Sequence, residues 1–203
     1  MPTFVGRIVL FLLLGALAHT PLYAQEPSPK PVVMIKINEQ IFVDNILIYD
    51  YYGNLKDVLN IWTSVSQADI TMTGVFLESG FRVVGSGISN TTKGNVSKEE
   101  ILKAVEGDDL SSKNLGNYLD ADFVIFGKAT AKGASGLKGS LQKSARANVN
   151  IRLVDTATGE IVAVESGTAT ASAIDELSAG VEAIKMASRD IAQQLIKRLS
   201  ESK

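Results

Sequence analysis

The sequence has no cysteine, and its one histidine and five prolines all lie within the first 31 of its 203 residues. Without cysteine the chain forms neither a disulfide framework nor a thiolate nucleophile. Without histidine, the rest of the chain cannot hold a Ser-His-Asp triad, an imidazole acid or base, or a Cys/His zinc site. We therefore expect no enzymatic activity, no cofactor, no catalytic residue and no metal site.

Long hydrophobic runs are also scarce, and the one at the amino terminus has the length of an export signal. Arg7 precedes an apolar stretch at residues 8–18, and Ala24 supplies a small residue at the cleavage point. A membrane helix needs about 20 apolar residues, so this pattern indicates a cleaved signal peptide over residues 1–24. Alternating prolines predict an extended tether over residues 25–31. We expect a periplasmic protein, with association to the outer membrane left open, and, because cysteine is absent, not a lipoprotein.

Residues 32–203 are expected to form one domain, since their number suits a single hydrophobic core. Apolar and β-branched runs predict strands at residues 32–37, 41–48, 81–84 and 122–127. Capping residues predict helices that begin at Ser66 and Ser97, and a further short helix covers residues 111–119. Residues 55–62 have an ambiguous period that matches one helical face.

The carboxyl-terminal third has the clearest pattern. Alternating residues 147–154 and the segment 161–170 flank a turn with Gly159, which predicts a β-hairpin. From residue 175 to 199 apolar side chains recur every three or four positions, which predicts a long amphipathic helix. The order of elements predicts an α+β domain with a mixed sheet covered by helices.

Three of these segments resemble a family of bacterial envelope proteins. Gly80-Phe81-Arg82-Val83-Val84, Leu119 to Gly127 and Ala147 to Ala163 are similar, in this order, to "GF-x-VV", "GAD-x-VI-x-G" and "RL-x-D-x-x-TGEI" patterns. Proteins with these patterns include the curli secretion channel, the flagellar H-ring protein T, the TolB amino-terminal domain and the penicillin-binding-protein activator lipoproteins. The likeness covers about residues 32–199. It implies a non-enzymatic domain that assembles with other envelope proteins, often in rings.

Aromatic residues gather around one expected turn. Tyr49, Tyr51 and Tyr52 lie within four positions, and Trp62 follows ten residues later. Tyr and Trp are enriched at the centres of protein interfaces, so this group is a candidate partner-contact surface. The alternative interpretation is core packing beneath a long loop.

A basic, glycine-rich stretch lies between the strand predicted at residues 122–127 and the hairpin that begins at residue 147. No acidic residue occurs between Asp122 and Asp155, and six positive charges lie there, those of Lys128, Lys132, Lys138, Lys143, Arg146 and Arg152. One interpretation is a flexible loop that contacts anionic lipid, lipopolysaccharide or an acidic partner. The other is a solvated loop without a partner. The formal net charge of −2 gives no reason to expect nucleic acid.

Two functions from different classes follow from these features. The first is a non-enzymatic periplasmic protein of curli or flagellar-ring type, which acts by contact with envelope proteins and forms a homo-oligomer. The alternative is a regulatory module that binds peptidoglycan, a small ligand or a cell-wall synthase.

Overall fold

The computed structural model of the chain describes residues 30–85, 99, 103, 108–134 and 141–201. The expected signal peptide, most of the expected tether, most of the helix expected after Ser97 and the candidate residue Lys138 lie outside these ranges. The division into signal peptide, tether and domain therefore stays a prediction.

The described residues form six strands and three helices, which we number in chain order. The strands are β1 (Val32–Tyr49), β2 (Leu55–Ser64), β3 (Arg82–Val84), β4 (Phe123–Ala134), β5 (Lys143–Asp155) and β6 (Ile161–Ala173). The helices are α1 (Gln67–Glu78), α2 (Asp109–Tyr118) and α3 (Glu176–Glu201). All six strands belong to one mixed sheet of order β2-β1-β4-β5-β6, and β3 also pairs with β1. The expected α+β class is confirmed, as are the hairpin β5–β6 and the long helix α3.

The main core lies between one face of the sheet and helices α1 and α3. Alternate residues of β4 and β5 on this face are small or branched, and helix α3 sets small residues such as Ala183 and Ala187 against them. Small side chains let a helix lie close to a sheet, and Ile184, Ile191 and Leu195 fill the spaces between them with no exposed area. This face of the sheet is covered from β1 to β6.

Among the described residues, cover on the opposite face of the sheet comes from helix α2 at one end. There, helix α2 places Leu115 against Met34, Val124, Phe126 and Val154 in a smaller core. Gly116 allows this contact, since a β-carbon at that position would stand 2.1 Å from Thr156 Cγ2. Beyond this core, the described side chains on the same face are exposed or half-buried.

The structure corrects one sequence-based assignment and decides one segment whose pattern is ambiguous. Residues 32–37 and 41–48 are not separate strands, because β1 runs without a break from a buried half into an exposed half. Residues 55–62 are not helical but form most of β2, which pairs antiparallel with the second half of β1. Cross-strand pairing decides both cases, and a sequence period in eight residues does not reveal it.

The start of helix α1 also differs from expectation. Ser66 is the N-cap residue by position, but its side chain makes no capping hydrogen bond. Instead the Glu39 carboxylate accepts hydrogen bonds from the backbone of Ala68 at 2.8 Å and Asp69 at 2.9 Å. The Asp69 carboxylate in turn accepts one from the backbone of Ile37 at 2.6 Å. Glu39 of β1 thus caps helix α1 in place of Ser66, and its hydrogen bonds fix the helix to the sheet.

Candidate functional site

A two-stranded arm projects from the body of the domain. It consists of residues Val43–Ile61, which are the ends of β1 and β2 and the turn between them. Strand β4 pairs with β1 only as far as Ile41, so within the described residues the arm has no further strand beside it. All the strand residues of the arm are exposed.

Both faces of the arm carry large apolar side chains. On one face Ile46 lies opposite Leu59. On the other face Leu47 lies opposite Val58, and beyond a bulge Tyr49 pairs with Leu55. Five of these six side chains are between 46% and 56% exposed, and Val58 is 38% exposed. A sheet strand in water normally shows apolar residues on one face alone, so an arm that is apolar on both faces is typical of a contact surface.

The tip of the arm is an aspartate-stabilised turn that displays tyrosines. The Asp50 carboxylate accepts hydrogen bonds from the backbone of Tyr52 and of Asn54, both at 2.8 Å, while Gly53 adopts a φ of 81°. Tyr51 and Tyr52 are 96% and 85% exposed, with their rings edge to face at 5.6 Å. The tyrosines are therefore not core residues, which removes the packing alternative for the turn.

We expect the tip to loosen in acid. The hydrogen bonds from Asn54 and Tyr52 hold the pKa of the Asp50 carboxyl below its ordinary value of 3.8. A lowered pKa stabilises the fold above the unfolded value, and this contribution is lost as the pH falls through the folded value. NMR titration of Asp50 should give a midpoint below 3.8, and Asp50→Asn should remove the associated shifts at Tyr52. A midpoint at or above 3.8 would show that the turn is open.

Trp62 does not join the tyrosines. It lies at the base of the arm, where its ring meets Phe42 edge to face at 5.6 Å and Lys132 Nζ stands 5.1 Å from the ring centre. Together with Asn60, Gly133 and Glu176 these residues line an open cavity of about 270 Å³. The predicted aromatic group is thus divided between the tip and the base of the arm.

The predicted basic loop is largely strand. Lys128 and Lys132 belong to β4 and Lys143 begins β5, so the flexible-loop interpretation is wrong for these three residues. In the β4–β5 register Lys132 lies opposite Arg146, and Arg152 lies six residues further along β5. Lys128, Lys132, Arg146 and Arg152 thus share the uncovered face of the sheet, which we call the basic face, and all four are exposed.

Sequence reasoning missed two parts of these surfaces. It counted Arg146 and Arg152 among the positive charges of the basic stretch but did not place them on a common face of the sheet, although the strict alternation of residues 145–152 would have shown it. It also did not select the apolar arm residues, because an apolar run in a strand normally indicates burial. Nothing local in the sequence distinguishes a strand that enters the core from one that leaves it.

The described part of the chain contains neither a cluster of three metal-ligating side chains nor a helix long and apolar enough to cross a membrane. Asp108, one of the acidic residues before the basic stretch, caps helix α2 by accepting a hydrogen bond from the backbone of Ser111 at 2.9 Å.

Comparison with models of known protein families identifies the family of this chain. The model of the TP0693-like lipoprotein C-terminal domain matches residues 46–196, which include most of the arm and all of strands β3 to β6. The chain belongs to this family. No curated protein matches the chain. This family is one of lipoproteins.

Several solved structures are similar to the TP0693-like chain. The hypothetical protein CT253 from Chlamydia trachomatis shares 14% identity at a TM-score of 0.42, with 85% of this chain and 92% of that chain covered. Lipoprotein GNA1162 from Neisseria meningitidis shares 13% at 0.40, with 83% and 99% covered. The PelC dodecamer from Paraburkholderia phytofirmans shares 12% at 0.39, with 84% and 86% covered. At such identities these likenesses say nothing of what the TP0693-like chain binds.

The family match corrects two expectations. The resemblance to the curli secretion channel, the flagellar H-ring protein T and the TolB amino-terminal domain is wrong as a family assignment, because the family shown is the TP0693-like lipoproteins. Short turn and strand patterns recur in unrelated α+β domains, so they did not discriminate. The expectation of a periplasmic protein that is not a lipoprotein is also contradicted, since the family is one of lipoproteins. The lack of one residue type does not exclude membership in a family defined by its folded domain.

Proposed function

We propose that this protein is a non-enzymatic component of the cell envelope that acts by protein–protein contact, with the arm as its contact surface. The observation that carries the proposal is the exposure of apolar side chains on both faces of the arm. The non-enzymatic part is supported by the absence of histidine and cysteine after residue 31. Partners among envelope proteins agree with membership in a lipoprotein family.

Burial of the exposed apolar side chains of the arm would contribute favourably to association. Complete burial of a Val, Leu or Ile side chain contributes about 1.5–3 kcal/mol relative to exposure. Ile46, Leu47, Leu55 and Leu59 are each about half exposed. Covering these four side chains therefore adds roughly 3–6 kcal/mol, before the exposed tyrosines at the tip are counted. The contribution of Tyr51 and Tyr52 is of the kind found at interface hot spots.

A second copy of this chain is the partner that fits the arm. The arm presents unpaired strand edges as well as two apolar faces, and an exposed strand edge is a template for pairing with another strand. Two identical arms that pack face to face cover each other's apolar side chains in one symmetric contact, and their free edges are left for pairing with a further copy. We therefore infer a homo-oligomer held by its arms.

Light scattering during size-exclusion chromatography tests this inference. We compare the wild-type protein, exported from a bacterial host, with the double variant Ile46→Thr/Leu59→Thr. Threonine is β-branched and compatible with a strand, so the variant keeps the strands but loses one apolar face of the arm. Wild type should be an oligomer, and the variant should dissociate at concentrations at least tenfold higher than wild type.

The matched control is Val162→Thr/Val164→Thr, which removes apolar surface of similar exposure on β6, away from the arm. This control should associate like wild type, and all three proteins should melt within a few degrees of one another. A wild type that is monomeric over the whole concentration range, or a control that dissociates as the arm variant does, would refute the arm as the self-association surface.

Contact of the basic residues with anionic lipid or lipopolysaccharide, and binding of peptidoglycan or a cell-wall synthase, stay predictions of the sequence. Vesicle binding tests the lipid contact directly.

A further inference from the structure

The basic face has a composition that structural needs do not explain. Along residues 128–132 of β4 and 146–152 of β5, the side chains on this face are Lys128, Thr130, Lys132, Arg146, Asn148, Asn150 and Arg152. Cations, amides and a hydroxyl are present there, and carboxylates and apolar side chains are absent from these positions.

The cations of the basic face have no carboxylate partners among the described residues. The ion pairs that the described part of the chain forms involve other cations, namely Lys36, Lys185, Lys197 and Arg198. Lys132 and Arg146 lie directly opposite each other in the register, and like charges in this position destabilise a sheet. The arrangement costs stability in the free protein, and an anionic ligand would remove that cost.

The four cations of the basic face are spread along the direction of strands β4 and β5. Arg146 and Arg152 are six residues apart on β5, which corresponds to about 20 Å along an extended strand. Lys128 and Lys132 flank the space between them on the neighbouring strand, about 4.8 Å away. Such a row is suited to a ligand whose charges repeat along its length.

The chemistry between the cations favours a glycan. Asn148 and Asn150 each present an amide that both donates and accepts hydrogen bonds, and Thr130 presents a hydroxyl. Sugar hydroxyl groups are both donors and acceptors, so they pair with this set, while carboxylates or phosphates pair with Arg and Lys.

Other macromolecules fit less well. A protein partner normally needs apolar or aromatic anchors at the centre of its contact, and residues 128–132 of β4 and 146–152 of β5 supply none on this face; the exposed Val164 of β6 lies at its margin, opposite Arg152. A bilayer surface likewise requires apolar side chains that enter the acyl region.

The cavity at the base of the arm continues the basic face. Lys132 belongs to both, and it leads from the sheet to Trp62 and Phe42, with Asn60 and Glu176 at the rim of the cavity. An aromatic ring beside amide and charged side chains suits the apolar face and the hydroxyls of one sugar unit. The cavity therefore offers a fixed position at one end of a bound chain.

We propose that the basic face, with the cavity at its end, binds an acidic polysaccharide that lies across strands β4 and β5. This site is separate from the apolar faces of the arm and goes beyond the proposed contact function. Loss of one function by mutation need not impair the other.

Binding of polygalacturonate, a carboxylated glycan, tests the proposal. The probe is titrated into the purified full chain by calorimetry at low ionic strength, with dextran as the neutral glycan. Wild type should bind polygalacturonate and not dextran, and binding should weaken with salt. Lys132→Glu/Arg146→Glu should lower the affinity at least tenfold. Lys128→Gln/Arg152→Gln should weaken it less, because it removes charge without reversing it.

The control Arg82→Glu/Arg189→Glu makes the same change in net charge at exposed residues of β3 and α3. It should bind like wild type, which separates the basic face from net charge. The proposal is overturned if the control loses binding as the basic-face variant does, or if wild type ignores polygalacturonate. It is also overturned if wild type binds phosphatidylglycerol vesicles more tightly than the glycan, since the face would then be a lipid surface. Light scattering on the same samples shows whether the arm contact is intact, so the two proposals fail separately.

Discussion

Replacement of Leu195 by Ala should lower the free energy of unfolding by about 2–5 kcal/mol. Leu195 is fully buried in helix α3, where the helix lies on the sheet. The substitution removes the favourable transfer free energy of the buried side chain from the stability of the fold. It also leaves a cavity, because the rigid sheet beneath cannot move into the space. Urea unfolding followed by circular dichroism measures the change, and the melting temperature should fall by roughly 10 °C.

Met186→Ala is the matched control for this substitution. Met186 lies in the same helix but is 46% exposed, so its truncation should cost much less than that of Leu195. Equal losses from both substitutions would contradict packing against the sheet as the source of the loss, because Ala has the highest helix propensity and propensity alone predicts no loss for either substitution.

Glu39→Ala should lower the free energy of unfolding by about 2–4 kcal/mol, which is large for a charged residue. Glu39 is only 2% exposed, and its carboxylate accepts the hydrogen bonds of two backbone amides at the start of helix α1. Truncation leaves both amides without their partner in a buried position. Glu78→Ala, in the exposed last turn of the same helix, should have little effect.

The same carboxyl gives a pH dependence of unusual sign. Burial raises the pKa of Glu39 above its ordinary value of 4.5, and the nearby Asp69 adds to the rise, although the backbone hydrogen bonds oppose it. The folded protein then holds this proton to a higher pH than the unfolded chain does. Stability from this group is therefore present below pH 4.5 and is lost as the pH rises through the folded value.

Glu39→Gln removes this titration and so isolates it. The free energy of unfolding of wild type minus that of Glu39→Gln should decrease as the pH rises from 4 to 7, in matched urea titrations. A difference that increases with pH would show that the hydrogen bonds from Ala68 and Asp69 outweigh burial and lower the pKa.

Elements with long, regular patterns were predictable from the sequence. Helix α3 was expected over residues 175–199 and runs from Glu176 to Glu201, because repeated apolar spacing over seven turns has no other explanation. The β5–β6 hairpin was predictable because Gly159 supplies a φ of 83° at its turn. The tyrosine turn was predictable for a similar reason, with Gly53 at a φ of 81°.

Elements whose conformation depends on distant partners were not predictable. Residues 55–62 match one helical face, yet pairing with β1 holds them in an extended conformation. The Glu39 cap joins residues about 30 positions apart, so no capping pattern around Ser66 reveals it. The basic residues were identified correctly as a group in the sequence, but a glycine-rich composition suggested a loop where pairing with β5 makes a strand.

The sequence by itself determined the class of the domain, its long helix and hairpin, and a chemistry without cysteine or, beyond residue 31, histidine. These properties follow from composition and from local periodicity, which fold and environment do not alter. Only the tertiary structure decided that the apolar end of β1 leaves the core as an arm and that four cations meet on one open face. Both depend on which strands pair and where a covering helix ends, and those are contacts between residues far apart in the chain.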